Sequence, residues 1–131
     1  MPAIHELDRA ECQALLRRGS FGRVVLATPK GVEILPVNYA VHDDTIVMRT
    51  SSLGLLTRHG DGADLVFEVD EVDPAYWSGW SVVARGRGVL VRSAIDVPLA
   101  HRVRPWPDGD HSWELRLTWT ELTGRRVGGA H

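Results

Sequence analysis

Residues 36–52 hold the densest set of ligand-capable groups in the chain. They read Pro36-Val37-Asn38-Tyr39, a turn at Asp43-Asp44, then Thr45-Ile46-Val47-Met48-Arg49-Thr50-Ser51-Ser52. The pattern predicts a β-hairpin whose second strand ends in an arginine and three hydroxyl side chains, just ahead of a short helix. Such an end suits a phosphate. The first N–H groups of a helix lack intrahelical partners, the helix dipole favours an anion there, and a guanidinium can fork onto phosphate oxygens. The same residues also fit a structural role in which Ser51 or Ser52 caps the helix. The residues alone leave both readings open.

Other reactive residues are dispersed. The six histidines, at 5, 42, 59, 101, 111 and 131, show no metal-ligand spacing, so no metal site is expected. The acids of Asp43-Asp44 and Asp108/Asp110 sit in turns, where aspartate supports the backbone. No nucleophile elbow is present, and Gly86-Arg87-Gly88 lacks the full glycine fingerprint of a dinucleotide loop. No essential acid or base side chain is expected; redox chemistry here would belong to a cofactor.

With 131 residues, 44% of them hydrophobic, the chain is expected to form a single domain over 1–131 with a real core. Fifteen basic and 17 acidic residues give a net charge of −2, which argues against a general nucleic-acid binder. No apolar run approaches the ~18 residues of a membrane span, and the N-terminus lacks a signal-peptide pattern. The single cysteine, Cys12, excludes an internal disulfide. Together these features lead to the expectation of a cytoplasmic protein.

The elements that must position the hairpin are mainly strands. Asp8-Arg9-Ala10-Glu11 has the form of a capping box, predicting a helix over 8–18 that Gly19 stops, with Leu7 stapled onto Cys12. Residues 21–28 and 32–41 are predicted strands around the turn Pro29-Lys30-Gly31, and Pro36 places its strand at an edge or bulge. A short helix spans Leu53 to His59. Leu65, Phe67 and Val69 alternate onto one face of the next strand. Trp80 to Val91 is a long strand whose Gly86 and Gly88 mark a barrel corner, a cofactor or a partner. A short helix at 93–102 and a rigid loop at 104–109 follow. Trp113, Leu115, Leu117 and Trp119 then face one way, opposite Glu114, Arg116, Thr118 and Thr120. Short strands with tight turns and few helices predict a mainly β barrel, closed to remove bare edges.

The hairpin, Ser78-Gly79-Trp80-Ser81-Val82, and Pro105-Trp106 followed by Thr123-Gly124-Arg125-Arg126 resemble the pyridoxamine 5'-phosphate oxidase-like family of flavin-binding split barrels, in its small single-domain bacterial branch. The resemblance runs from about Leu7 to Val127. It implies a six-stranded antiparallel Greek-key split barrel with short peripheral helices, and a homodimer with FMN between subunits. It also implies oxidoreductase activity on a small molecule. A deazaflavin coenzyme, a non-catalytic binding or storage role, or a degenerate barrel without the phosphate site are the alternatives. By the same resemblance Val37, Asn38 and Tyr39 lie near the flavin ring, their backbone N–H and C=O groups meeting its polar edge and Asn38 adding an amide. Arg49, Thr50, Ser51 and Ser52 face the ribityl chain and phosphate. Trp80 and Ser81 of the other subunit cover the site. The chain departs from flavin binders of this branch at Leu55, where a lysine is usual. Arg49, Arg58, or a partner's Arg85 or Arg87, are candidates to compensate. The chain also lacks the extended C-terminal segment of the true oxidases, so that specific activity is not expected, and Arg125 and Arg126 are read as salt-bridging surface residues.

Overall fold

The computed structural model describes residues 3–50, 54–92 and 113–128. The expectations for 93–102 and 104–109, and the positions of Ser51 and Ser52, lie outside these residues.

Helix α1 (Arg9–Arg18) begins at Asp8, whose Oδ1 accepts from Glu11 N–H at 2.8 Å while Glu11 Oε1 accepts from Asp8 N–H at 3.3 Å. This is the reciprocal capping box the sequence predicts. Cys12, Leu15 and Leu16 form its buried face. Gly19 ends the helix in an extended conformation, so close approach and not a left-handed turn explains the glycine: a Cβ there would lie 2.2 Å from Tyr39 Oη.

The strands are β1 (Ile4–Glu6), β2 (Phe21–Thr28), β3 (Gly31–His42), β4 (Thr45–Thr50), β5 (Asp64–Asp73), β6 (Ser78–Arg92) and β7 (Trp113–Val127), with α2 (Leu55–His59) between β4 and β5. Their order is β1-β7-β4-β3-β2-β5-β6, every described pairing is antiparallel, and a further β6–β7 pairing closes the ring. Six strands therefore form the barrel, with β5 returning beside β2 as a Greek key requires. The seventh, β1, is an addition to the expected six. It pairs with the end of β7 (Ile4 with Val127, Glu6 with Arg125), and its three residues are too few to show alternation.

Alternation fills the barrel. Val24, Leu26, Ile46, Met48, Leu65, Phe67, Val82, Leu115 and Leu117 are almost fully buried. Each such side chain contributes roughly 1.5–3 kcal/mol through loss of apolar contact with water. Phe67 and Tyr39 meet edge to face at 4.7 Å between ring centroids. Pro36 opposes Arg23 of β2, while the described β3–β4 pairing runs only from Tyr39 to His42. The proline thus sits where β3 has a neighbour on one side, so its missing N–H costs no ladder bond. Within the described residues no helix is long and apolar enough to cross a membrane.

Candidate functional site

Antiparallel pairing places opposite residues on the same face of a sheet. Tyr39 opposes Met48 and Ala40 opposes Val47; Asn38 and Arg49 each lie one residue beyond the last described rung and alternate onto the same face as Ala40 and Val47. Across the other edge of β4, Arg49 opposes Glu114 and Val47 opposes Arg116. Met48 and Leu115 are the inward residues of these strands, so Asn38, Arg49, Glu114 and Arg116 share the outward face.

Glu114 is buried, at 6% exposure, although it faces outward. Its Oε2 accepts from Arg116 Nη2 at 3.1 Å and Nε at 3.3 Å. A shielded carboxylate needs such a partner. The face thus brings together two guanidiniums, of Arg49 and Arg116, and the carboxylate of Glu114. Glu114 and Arg116 were legible as outward residues of β7, but nothing local tied them to Arg49; that juxtaposition needs the β4–β7 register.

The side chains of the other described site residues of the hairpin turn inward. Val37 (6% exposed) and Tyr39 (3%) point into the barrel, and Thr50 (8%) follows Met48 in alternation onto the inward side. These three offer the Asn38–Arg49 face only main chain, and the N–H of Tyr39 is already bonded to Ser20 O at 3.0 Å. The N-cap of α2 is Gly54, with no side-chain capping bond, so neither Ser51 nor Ser52 is the cap. Leu55, at the usual lysine position, is the first residue of α2 and is half-buried.

Trp80 shares the inward alternation of Val82 and packs partly against the core, whereas Ser81 faces outward. From Asn38 the path to Ser81 crosses β2 and β5, three strand spacings or roughly 14 Å along the sheet. Between them lies an ion-pair cluster in which Arg23 donates to Glu68 and lies 2.9 Å from Asp70. These two hydrogen-bonded carboxylates hold the Arg23 guanidinium above its usual range. Burial, joined by repulsion from Asp70, pushes the Glu68 carboxyl up. A single protomer therefore does not bring Trp80 and Ser81 onto the Asn38–Arg49 face. Arg125 and Arg126 make no ion pair among the described residues, unlike the salt-bridged role expected of them.

Tyr39 has a structural duty instead. Its hydroxyl donates to Leu16 O at 2.6 Å and ties β3 to the end of α1. Burial raises the phenol well above its ordinary value. A group whose folded pKa is raised contributes stability that is full below the unfolded value of about 10 and fades as pH climbs beyond it. Tyr39→Phe should cost about 1–2 kcal/mol at neutral pH, because a buried carbonyl loses its donor. Urea unfolding at pH 8 and pH 11 should show the wild type losing an alkaline increment that the variant lacks. Equal losses in both would assign the alkaline effect elsewhere.

The sequence pattern of the pyridoxamine 5'-phosphate oxidase family matches residues 8–126, and the chain belongs to that family. Among similar proteins, the uncharacterized Rv0080 of Mycobacterium tuberculosis is 34% identical over 128 residues, 93% of this chain and 84% of that one. A solved structure of an FAD-binding protein from Mycobacterium smegmatis is 29% identical, with a TM-score of 0.74 over 95% of this chain and 98% of that chain. A Corynebacterium glutamicum protein provisionally described as a pyridoxamine 5'-phosphate oxidase is also 29% identical, with a TM-score of 0.75 over 98% and 96% of the two chains. These likenesses agree with the split-barrel fold.

Proposed function

We propose that this protein is a flavin-binding oxidoreductase that works as a homodimer, with FMN as the cofactor and a small molecule as substrate. The observation that carries the reading is the outward juxtaposition of Asn38 and Arg49 beside Arg116. That donor set, two guanidiniums next to a neutral amide, fits a phosphate and the polar edge of a flavin. Arg49 would hold the phosphate, and Asn38 would present its amide to the ring. A bound flavin supplies the capacity to accept and donate two electrons with a proton. The structural relative named as an FAD-binding protein supports a flavin in general, and FAD is the first alternative to test.

The reading needs a second protomer, because Trp80 and Ser81 lie three strands from Asn38. The outward face of β2 and β3 offers the place for it. Val32 (71% exposed), Ile34 (63%) and Phe21 (44%) form an apolar surface leading to Asn38. A second copy is the occupant that this surface and the incomplete site both call for. Ile34→Glu should turn a dimer into a monomer in sedimentation velocity and release flavin with it. A wild-type protein that sediments as a monomer at tens of micromolar would overturn the dimer.

The flavin itself is tested by the visible spectrum of the purified protein, before and after adding FMN, FAD or a deazaflavin coenzyme, each followed by gel filtration. A retained flavin spectrum that a nicotinamide donor bleaches supports the oxidoreductase. A retained spectrum without bleaching by reductant favours a binding or storage role. A colourless protein that takes up none of the three means that Leu55 marks a lost phosphate site.

A further inference from the structure

One outward rung crosses four strands of the barrel. Pro36 of β3 opposes Arg23 of β2, Arg23 opposes Glu68 of β5, and Glu68 opposes Val83 of β6. Two residues along each strand, on the same face, stand Asn38, Phe21, Asp70 and Ser81, with Asn38 opposite Phe21 and Asp70 opposite Ser81. Asn38 and Ser81, which the flavin reading needs together, thus stand at opposite ends of one face. The seam between β2 and β5 runs midway between them.

That seam carries more acid than base. The Arg23 guanidinium serves two carboxylates, donating to Glu68 and lying 2.9 Å from Asp70. The three side chains keep 38%, 29% and 38% of their surface exposed, so further burial is open to them. Among the described residues no second cation pairs with this group. Outward on β6, Arg85 is paired with Glu121 at 3.7 Å; β3 brings Pro36 and Ile34; and Arg125, two strands from Asp70, has Glu6 opposite it. Burial, joined by repulsion from Asp70, already pushes the Glu68 carboxyl up against the pull of Arg23.

We propose that the Arg23–Glu68–Asp70 cluster is the centre of the homodimer contact, on its two-fold axis, and that the two copies share protons there, so that the dimer tightens as pH falls. The inference rests on the dimer reading above and names the surface and the control of that same site. A closed dimer pairs a face with itself. An axis through the β2–β5 seam carries each Asn38 toward the partner's Ser81; an axis through β3 does not. Barrel walls are convex, so two such faces touch first along the seam and open toward β3 and β6, leaving two equal clefts for ligand. At the axis four carboxylates meet two guanidiniums. Taking the excess negative charge out of water is costly, and a proton taken up by Glu68 removes that cost. A carboxyl raised further by association binds its proton more tightly in the dimer. Affinity is therefore full below the Glu68 pKa of the free protomer and is lost as pH rises through that of the dimer.

Dilution series of the full chain in sedimentation velocity, at pH 5.5 and pH 8, read the dissociation constant. The wild type should dimerise at least about tenfold more weakly at pH 8, as for a single carboxyl whose pKa rises by about one on association. Glu68→Gln removes the excess charge and keeps the Arg23–Asp70 pair. It should dimerise equally at both pH values and more tightly than the wild type at pH 8. Position is read by crosslinking: a residue on the axis meets its own copy, so Glu68→Cys should form a disulfide-linked dimer under mild oxidation and Ile34→Cys should not. The native Cys12 is buried. A dimer of equal affinity at both pH values, or a Glu68→Gln variant that keeps the wild-type response, would overturn the proposal and leave the dimer reading standing. Crosslinking through Ile34→Cys in place of Glu68→Cys would move the axis to β3 and overturn it as well. A wild type that is monomeric at both pH values would overturn both.

Discussion

Replacing Arg49 with glutamine should weaken FMN binding by about ten- to a hundredfold, the effect of removing one charge-assisted contact of roughly 1.5–3 kcal/mol. The size follows from the neighbourhood. Arg49 lies across the β4–β7 ladder from Glu114, which already engages Arg116. With Arg49 gone, the face loses one of its two guanidiniums and keeps the Glu114–Arg116 pair. A dianionic phosphate would then lose one guanidinium contact. The converse change, Leu55→Lys, adds a cation at the start of α2 and should tighten binding by about tenfold on the same reasoning. Quenching of flavin fluorescence during titration measures both. If Arg49→Gln binds FMN as the wild type does, the phosphate lies elsewhere and the outward cluster is structural.

Gly88→Ala should destabilise the protein by about 3 kcal/mol, the upper end of the usual cost of overpacking. A Cβ at this position would lie 2.3 Å from Gly60 O, 2.8 Å from Leu65 Cδ1 and 3.2 Å from Leu115 Cδ1. The carbonyl cannot rotate away cheaply, because the segment is stitched on both sides. Gly88 N–H donates to Ala63 O at 2.9 Å, and Gly62 N–H donates to Gly88 O at 2.8 Å. Gly86 is set similarly, 2.3 Å by the same measure from Thr118 O, at the irregularity where β6 shifts register against β7. What approaches these glycines is the protein's own backbone, as the barrel-corner reading of the sequence requires. A urea midpoint for Gly88→Ala equivalent to less than about 0.5 kcal/mol of loss would show that the loop over residues 60–63 yields.

Periodicity and turn chemistry carried most of the fold in the sequence. The alternation of Leu65, Phe67 and Val69 and of Leu115, Leu117 and Trp119 is that of buried faces in the barrel. The capping box at Asp8 and the interrupting Pro36 report local constraints that do not depend on tertiary context. The site was less legible. Sequence order makes Val37, Asn38 and Tyr39 look like one unit, but the pleat sends Asn38 outward and its neighbours inward. Thr50 parts from Arg49 for the same reason. Ser51 and Ser52 resembled helix caps because serine favours that role, yet the cap falls at Gly54. Glu114 and Arg116 entered the cluster through a pairing between strands more than sixty residues apart in sequence. No local pattern encodes a register of that span.

The long strand β7 has a consequence for how the chain reaches this state. It pairs with β4, β6 and β1, and its last rung joins Val127 to Ile4. Until it is in place, three strands present unpaired edges, and the cylinder cannot shut. Contacts so distant along the chain make ring closure entropically expensive and folding slow. On the ribosome, the nascent polypeptide must therefore wait until β7 (Trp113–Val127) has emerged before its interior is sealed. Through that interval its open edges are the ones most exposed to intermolecular strand pairing, and to capture by chaperones.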